Sequence, residues 1–148
     1  MKGLKGKTVV VTGASSGIGE ALARECAVQG ANVVLGARSL QKLQLIVGDI
    51  RSKGGEATYC AVDVTKPEEC RNLIDTAVGE YGGLDVLICN AGLSMRALFD
   101  DVDLEVLHRL MDVNFWGTVY CTKYALPYLQ ASHGSLAVSY THLRAHET

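Results

Sequence analysis

The sequence has no long apolar segment, no Cys-x-x-Cys pair and no excess of basic residues, and each absence excludes a class of protein. The apolar run behind the basic N-terminus is only three valines, at 9–11, whereas a membrane span needs about 20 apolar residues and a signal peptide also needs a longer core. Lys and Arg number 14 against 16 Asp and Glu, without the basic excess of nucleic-acid-binding proteins. We therefore expect a cytoplasmic protein that has neither nucleic acid nor a membrane as its partner.

The cysteines form no recognised metal or disulfide pattern. There are five, an odd number, and no two have the spacing of a zinc site. We expect small buried thiols in a reducing compartment instead. His142 and His146 lie four residues apart and could share a helix face as metal ligands, but no third ligand accompanies them. We expect a polar tail there and no metal site.

Short apolar runs alternate with segments of helical periodicity along the chain. The runs lie at residues 8–12, 32–37, 57–62, 84–89 and 136–138. They are almost continuously apolar, which is typical of parallel strands covered on both faces. Between them, apolar residues recur at helical spacing, as at Leu40, Leu43 and Val47. Strands that alternate with helices predict an α/β protein with a doubly wound parallel sheet.

A glycine turn, T-G-A-S-S-G-I-G at residues 12–19, follows the first strand and precedes a predicted helix. Such a helix start presents free backbone N–H groups and the positive end of the helix dipole. Glycines let a pyrophosphate approach without a Cβ in the way. A nucleotide phosphate site is therefore predicted, with a purely structural turn as the alternative; no Gly-Lys-Ser/Thr follows, which excludes a Walker-type loop. The predicted contact residues are Gly13, Ser15, Ser16, Gly17, Ile18 and Gly19.

The spacing of the glycine turn resembles that of the short-chain dehydrogenase/reductase family, and three further motifs agree with the family in order and spacing. They are Asp63-Val64 after the third strand, Asn90-Ala91-Gly92 after the fourth strand, and Asn114 within D-V-N-F-W-G. The resemblance covers residues 5–137 and implies a Rossmann fold with a nicotinamide dinucleotide cofactor. It also implies that the first motif contacts the adenine ring, that the second lines the cofactor cleft, and that Asn114 belongs to the catalytic tetrad.

The end of the second strand favours NADP over NAD as the cofactor. NAD-preferring sites place a carboxylate there, and that carboxylate would repel the additional phosphate of NADP. This chain has Arg38 and Ser39 instead, without an acidic residue in reach. Arg38 can bind a phosphate bidentately and Ser39 can donate a further hydrogen bond. The segment also resembles the A-R-S of NADP-dependent family members. A solvated arginine at a helix start is the alternative.

The resemblance implies a tetrad of Asn, Ser, Tyr and Lys, of which this sequence supplies one member clearly. Asn114 is the asparagine, which in the family holds a water beside the lysine. Ser139 is the candidate for the serine that polarises the substrate oxygen, with the Thr141 hydroxyl as an alternative. Tyr140-x-x-x-Arg144 imitates the Tyr-x-x-x-Lys pair, but an arginine stays protonated and does not match the contacts of a lysine. The family tyrosine also lies farther along the chain, on the next helix.

We therefore assign residues 1–138 to an incomplete NAD(P)-binding Rossmann domain that ends after the fifth strand, with a tail at 139–148 that does not match the family and is hypothesised to be non-native. The resemblance implies an NADP-dependent oxidoreductase, in the intact parent, that moves a hydride to or from a small-molecule carbonyl or secondary alcohol. The alternative is an inactive nucleotide-binding fragment or association partner that lacks Tyr-x-x-x-Lys. We also expect a homo-oligomer formed through the helix at 104–129, which carries Phe115 and Trp116.

Overall fold

The computed structural model describes residues 3–140, which form five strands and five α-helices. The strands are β1 (Thr8–Thr12), β2 (Asn32–Ala37), β3 (Glu56–Ala61), β4 (Val86–Cys89) and β5 (Ser135–Val138). The helices are α1 (Gly17–Val28), α2 (Leu40–Ser52), α3 (Pro67–Tyr81), α4 (Leu104–Met111) and α5 (Gly117–Ser132). A 3₁₀ turn at Phe99–Asp101 precedes α4, and a π-helical segment at Asp112–Trp116 connects α4 to α5.

The strands form one sheet in the order β3-β2-β1-β4-β5, and every neighbouring pair is parallel. The predicted doubly wound parallel sheet is therefore confirmed. β1 and β2 have the predicted bounds, whereas β4 begins two residues later than predicted, at Val86. Before it, the carboxylate of Asp85 accepts a hydrogen bond from the N–H of Thr8 at 2.9 Å. The backbone N–H of Asp85 also donates to the carbonyl of Thr8 at 3.0 Å, so this residue is bonded to the start of β1 through both its side chain and its backbone.

The two faces of the sheet carry separate apolar cores. Val9 and Val11 of β1 lie in the core beneath α1 and α2, while Val10 between them lies in the core beneath α3 and α5. All five residues of β1 are buried. Because successive side chains point to opposite faces, a strand with helices on both sides needs apolar residues at every position. This arrangement explains the unbroken run of valines.

The ends of α3 follow the sequence signals closely. Pro67 occupies the first turn, where its missing N–H costs nothing, and Glu68 and Glu69 follow it at the positive end of the helix dipole. At the other end, Gly82 terminates the helix with a φ of +81°. This left-handed conformation suits glycine because a Cβ would clash with the backbone. The loop that follows returns the chain to the sheet at β4.

The single helix predicted at 104–129 is divided in the structure. α4 ends at Met111, the π-helical segment Asp112–Trp116 follows, and α5 continues to Ser132. The sequence did not show this division, because the residues on either side keep an ordinary helical composition. Single π-helical turns within α-helices are frequent at functional sites, and this one contains Asn114. Among the helices of residues 3–140, none is both long and apolar enough to cross a membrane.

Candidate functional site

A cleft of about 1120 Å³ opens at the carboxyl ends of the strands. The strand order reverses its direction at β1, which has β2 on one side and β4 on the other. In open α/β sheets, ligands bind outside the carboxyl ends of the strands at such a switch point. The cleft volume lies slightly above the usual range of about 300–1,000 Å³ for small-molecule sites. Position and size together suit an extended ligand such as a dinucleotide.

The structure brings the sequence-predicted site residues together in this cleft, with Gly19 as the exception. The lining includes Gly13, Ser15, Ser16, Gly17, Ile18, Arg38, Ser39, Asp63, Val64, Asn90, Ala91, Gly92, Asn114 and Ser139. Gly19 is buried behind this surface, in the first turns of α1. A Cβ at Gly19 would collide with the carbonyl oxygen of Gly13 and with the side-chain amide of Asn90. Gly19 therefore packs the start of the helix closely against the turn, and its expected role as a contact residue stays a prediction.

The glycine turn is shaped by two glycines with left-handed backbone conformations. Gly13 has a φ of +63° and Gly17 a φ of +54°. At Gly13 space is also short, because a Cβ would lie 2.8 Å from the Cα of Ala91. Ser16 then caps α1 with an extended backbone, and its side chain makes no capping hydrogen bond within the described residues. The start of α1 thus presents backbone N–H groups to the cleft, the arrangement that binds phosphate anions.

Hydrogen bonds join the glycine turn to the end of β4. The hydroxyl oxygen of Thr12 accepts the N–H groups of Asn90 and Ala91, at 2.9 and 3.0 Å. In return, the side-chain amide of Asn90 donates to the carbonyl of Gly13 at 3.2 Å. Sequence reasoning included Thr12 in the turn but assigned it no function. The position of this threonine, next to the first glycine at the end of β1, is the signal that could have identified it.

Asn114 uses both ends of its side-chain amide on one residue of the loop after β4. Its Nδ2 donates to the carbonyl of Leu93 at 2.8 Å, and its Oδ1 accepts the N–H of Leu93 at 2.7 Å. The hydroxyl of Thr118 donates to the backbone carbonyl of Asn114 at 3.3 Å. In this geometry the amide fixes the loop that follows Asn90-Ala91-Gly92 against the π-helical segment. Its role beside a catalytic lysine stays a prediction.

The opposite end of the cleft is formed by the segments that follow β2 and β3. Arg38 is exposed there, and the Ser39 hydroxyl accepts the N–H of Lys42 at 3.4 Å as the cap of α2. The Asp63 carboxylate accepts two hydrogen bonds from Thr65, at 3.0 and 2.7 Å. Burial raises the pKa of Asp63, but the hydrogen bonds from Thr65 and the nearby positive charges outweigh it, so its pKa lies below the ordinary value. Asp63 is therefore ionised at neutral pH.

The sequence of this chain matches a family model described as short chain dehydrogenase over residues 7–141. The chain belongs to the short-chain dehydrogenase family. It is 44% identical over 135 residues to 11-beta-hydroxysteroid dehydrogenase A of Sesamum indicum, an alignment that covers 90% of this chain and 39% of the relative. It is 42% identical over 135 residues to 11-beta-hydroxysteroid dehydrogenase 1A of Arabidopsis thaliana, with the same coverage. The chain thus spans about two fifths of the length of these curated relatives.

Solved structures agree with this family assignment. An alcohol dehydrogenase from the archaeon Thermococcus sibiricus, complexed with 5-hydroxy-NADP, superposes with a TM-score of 0.86 at 34% identity, over 89% of this chain and 57% of the other. A short-chain type dehydrogenase/reductase from Mycobacterium marinum gives a TM-score of 0.87 at 34% identity, over 92% and 56% of the two chains. The Rossmann-like sheet with flanking helices is therefore that of short-chain dehydrogenases.

Both predicted catalytic residues of this short-chain dehydrogenase, Asn114 and Ser139, lie within the described residues, whereas the alternative Thr141 does not. Ser139 follows β5, lines the cleft and donates its N–H to the carbonyl of Cys89 at 3.0 Å. Tyr140 also borders the cleft and is 80% exposed. Thr141 and Arg144 lie outside the described residues, as do His142 and His146 of the discounted metal pair. Within residues 3–140, no cluster of three or more acidic, histidine or cysteine side chains has the arrangement of a metal site.

Sequence reasoning missed several side chains that line the cleft. Lys42 of α2, Thr65 after β3, and His108 and Arg109 of α4 all border it. None of them belongs to a motif that the sequence displays, because each reaches the cleft through the way its element packs. Lys42 alone of these had a usable signal, which is its position three residues after the cap of α2. Residues at that spacing lie on the same side of a helix.

Proposed function

We propose that this chain is the NADP-binding part of an oxidoreductase that, in the longer protein, moves a hydride to or from a carbonyl or a secondary alcohol. The observation that carries the proposal is the cleft in which the glycine turn and Arg38 form two ends of one surface. The relatives named hydroxysteroid dehydrogenases and the neighbour complexed with 5-hydroxy-NADP support it. A cytoplasmic location and self-association through the helical region at 104–129 belong to the same proposal.

The residues at the glycine turn fit the pyrophosphate of a nicotinamide dinucleotide. Backbone N–H groups at the start of α1 carry no negatively charged neighbour before Glu20. The left-handed glycines Gly13 and Gly17 keep side chains out of the approach. When bound, the cofactor supplies the hydride donor or acceptor. The chain's own part is to hold the phosphates at α1 and to position the dinucleotide along the ends of the strands.

The preference for NADP rests on the charges after β2. Among residues 3–140, Arg38 takes part in none of the ion pairs, so its guanidinium is available to a ligand. Ser39 beside it offers a hydroxyl. The carboxylate of Asp63 lies near enough for the charge of Arg38 to lower its pKa. Asp63 follows β3 rather than β2, where NAD-preferring sites place their carboxylate. We therefore assign Arg38 to the 2′-phosphate.

Binding and turnover are separable in this proposal. The 148 residues contain no Tyr-x-x-x-Lys, which supports the second candidate function, nucleotide binding without turnover by these residues alone. We therefore expect the chain to bind NADPH and not to oxidise it when a ketone is added. Loss of reduced-nicotinamide absorbance that depends on both protein and ketone would contradict this second candidate and leave the binding proposal intact.

Fluorescence titration of the 148-residue chain with NADPH and NADH tests the cofactor preference. We expect NADPH to bind about tenfold more tightly, the equivalent of one charge-assisted contact. Arg38→Gln is expected to remove most of this difference without changing the affinity for NADH. Lys7→Gln is the matched control, because Lys7 is an exposed cation just before β1, at the end of the strands opposite the cleft. Equal affinities in the unmodified chain would overturn the NADP preference, and binding of neither would overturn the nucleotide site.

A further inference from the structure

Lys42 lies in the first turn of α2, on the wall of the cleft that also contains Arg38 and Ser39. Its backbone N–H donates to the hydroxyl of Ser39, the residue that caps the helix. Its side chain is exposed and borders the cleft. A side chain at this position and the cap residue face the same side of the helix. Two cations, one from the end of β2 and one from the start of α2, therefore border the same part of the surface.

The charge of Lys42 is not neutralised by the surrounding protein. The ion pairs of residues 3–140 engage other cations of the same half of the molecule, including Lys53 of α2 with Asp49 and Lys66 with Glu69. Lys42 takes part in none of these pairs. The first turn of α2 also contains no acidic residue, whereas the first turn of α3 contains two. The start of α2 is therefore the more positive of these two helix starts.

A lysine at this position opposes helix stability. The N-terminus of a helix carries a partial positive charge, so a cation in the first turn is repelled while an anion is attracted. Replacing Lys42 by a neutral residue should therefore leave the ligand-free protein as stable as before or slightly more stable. A doubly charged phosphate placed between Lys42 and Arg38 would reverse the repulsion. The position of Lys42 suits an anionic ligand better than it suits the helix.

We propose that Lys42 is a second cationic contact for the 2′-phosphate of NADP and sets part of the cofactor specificity together with Arg38. The inference rests on the proposed NADP-binding function and adds a specificity residue to it. Lys42 acts as a point charge on a flexible side chain, while Arg38 supplies the planar donor pair. We expect the contribution of Lys42 to be smaller than that of Arg38 and to weaken as ionic strength rises.

The test compares 2′,5′-ADP with 5′-AMP, which differ only in the 2′-phosphate, by calorimetric titration of the 148-residue chain. Lys42→Gln is expected to weaken binding of 2′,5′-ADP about fivefold, as an exposed ion pair does, and to leave the affinity for 5′-AMP unchanged. Lys42→Arg should restore most of the affinity, and Lys7→Gln should match the unmodified chain. The melting temperature of ligand-free Lys42→Gln should not fall, which separates loss of a contact from loss of structure.

The outcomes distinguish this inference from the function on which it rests. If the unmodified chain prefers 2′,5′-ADP, and Arg38→Gln removes that preference while Lys42→Gln does not, the role of Lys42 is refuted and the NADP proposal stands. If the unmodified chain binds both nucleotides equally, the NADP proposal fails and the role of Lys42 fails with it. Equal weakening of both nucleotides by Lys42→Gln would also refute a contact specific to the 2′-phosphate.

Discussion

The Thr12 hydroxyl is expected to contribute more to the stability of the nucleotide cleft than any other single polar group of the glycine turn. It is 2% exposed and accepts the N–H groups of both Asn90 and Ala91. Thr12→Val keeps the shape and the β-branched character that suit the end of a strand, but it leaves both N–H groups without their acceptor. A buried donor without a partner costs about 1–3 kcal/mol.

The expected loss for Thr12→Val is therefore about 2–3 kcal/mol, because two partly buried donors lose their acceptor, each at the low end of the range. This is a large part of the 5–15 kcal/mol typical of a folded domain. Thr12→Ser is the matched control, since it keeps the hydroxyl and removes one methyl group, at a cost of about 1 kcal/mol. Urea unfolding followed by circular dichroism gives both values, provided that the slope of the free energy against urea is unchanged.

A loss below about 0.5 kcal/mol for Thr12→Val would refute the reasoning, since surface substitutions without structural consequence fall in that range. A loss equal to that of Thr12→Ser would also refute it, because the methyl group and not the hydroxyl would then account for the effect. If Thr12→Val does not fold, the comparison is made in the presence of NADPH, which stabilises any variant that retains the site.

Three further predictions concern the glycine turn, the thiols and the exposed aromatic residues of the π-helical segment. Gly19→Ala should destabilise the fold by about 3 kcal/mol or more and weaken NADPH binding, because its Cβ would meet backbone atoms of Gly13. Urea unfolding measures the stability and titration measures the affinity. Unchanged values would contradict the packing role of Gly19. All five cysteines are free and buried, and burial raises the pKa of Cys89 to about 11. A thiol reagent should therefore react with all five thiols only after the chain is unfolded. Rapid reaction of the native chain would contradict this prediction. Trp116 and Phe115 are 44% and 49% exposed and form an apolar surface that a second copy could cover. Trp116→Glu should therefore reduce self-association, as measured by sedimentation velocity. An unmodified chain that is already monomeric would refute the proposed oligomer.

Local sequence patterns were sufficient to predict the sheet and to indicate which motifs meet at the cleft. The valines of β1 predicted a strand covered on both faces, which the two separate cores confirm. The glycine turn predicted a phosphate site at the strand-to-helix junction, and the structure brings the other predicted motifs to the same cleft. The sheet is confirmed, and the motifs meet in one cleft because parallel strands place all their carboxyl ends at one edge; phosphate binding there stays a prediction.

The sequence could not show which side chains hold the site together, because the decisive partners are distant in the chain. Thr12 and Asn90 are 78 residues apart, and Asn114 and Leu93 are 21 residues apart. A motif identifies residues by spacing but does not indicate what each one contacts, and the close packing of Gly19 against Gly13 and Asn90 was therefore not visible in the sequence. The π-helical segment at Asp112–Trp116 also escaped prediction, since no local residue pattern marks an extra residue in a helical turn.

The two ends of the cleft differ in how they are supported, and this difference determines how each should respond to substitution. At the glycine turn, the N–H of Ala14 donates to the carbonyl of Gly36 at 3.1 Å, and the carbonyl of Gly13 accepts from Asn90. This end is fixed by hydrogen bonds to the backbone of β2 and to the side chain of Asn90 after β4, so substitutions there should affect folding and binding together. Arg38 and Lys42 are exposed side chains beyond the end of β2, and their charges are not needed for the packing of either core. Cofactor specificity should therefore change independently of stability at that end. Variants of the two ends thus distinguish phosphate binding at the glycine turn from the choice between NADP and NAD.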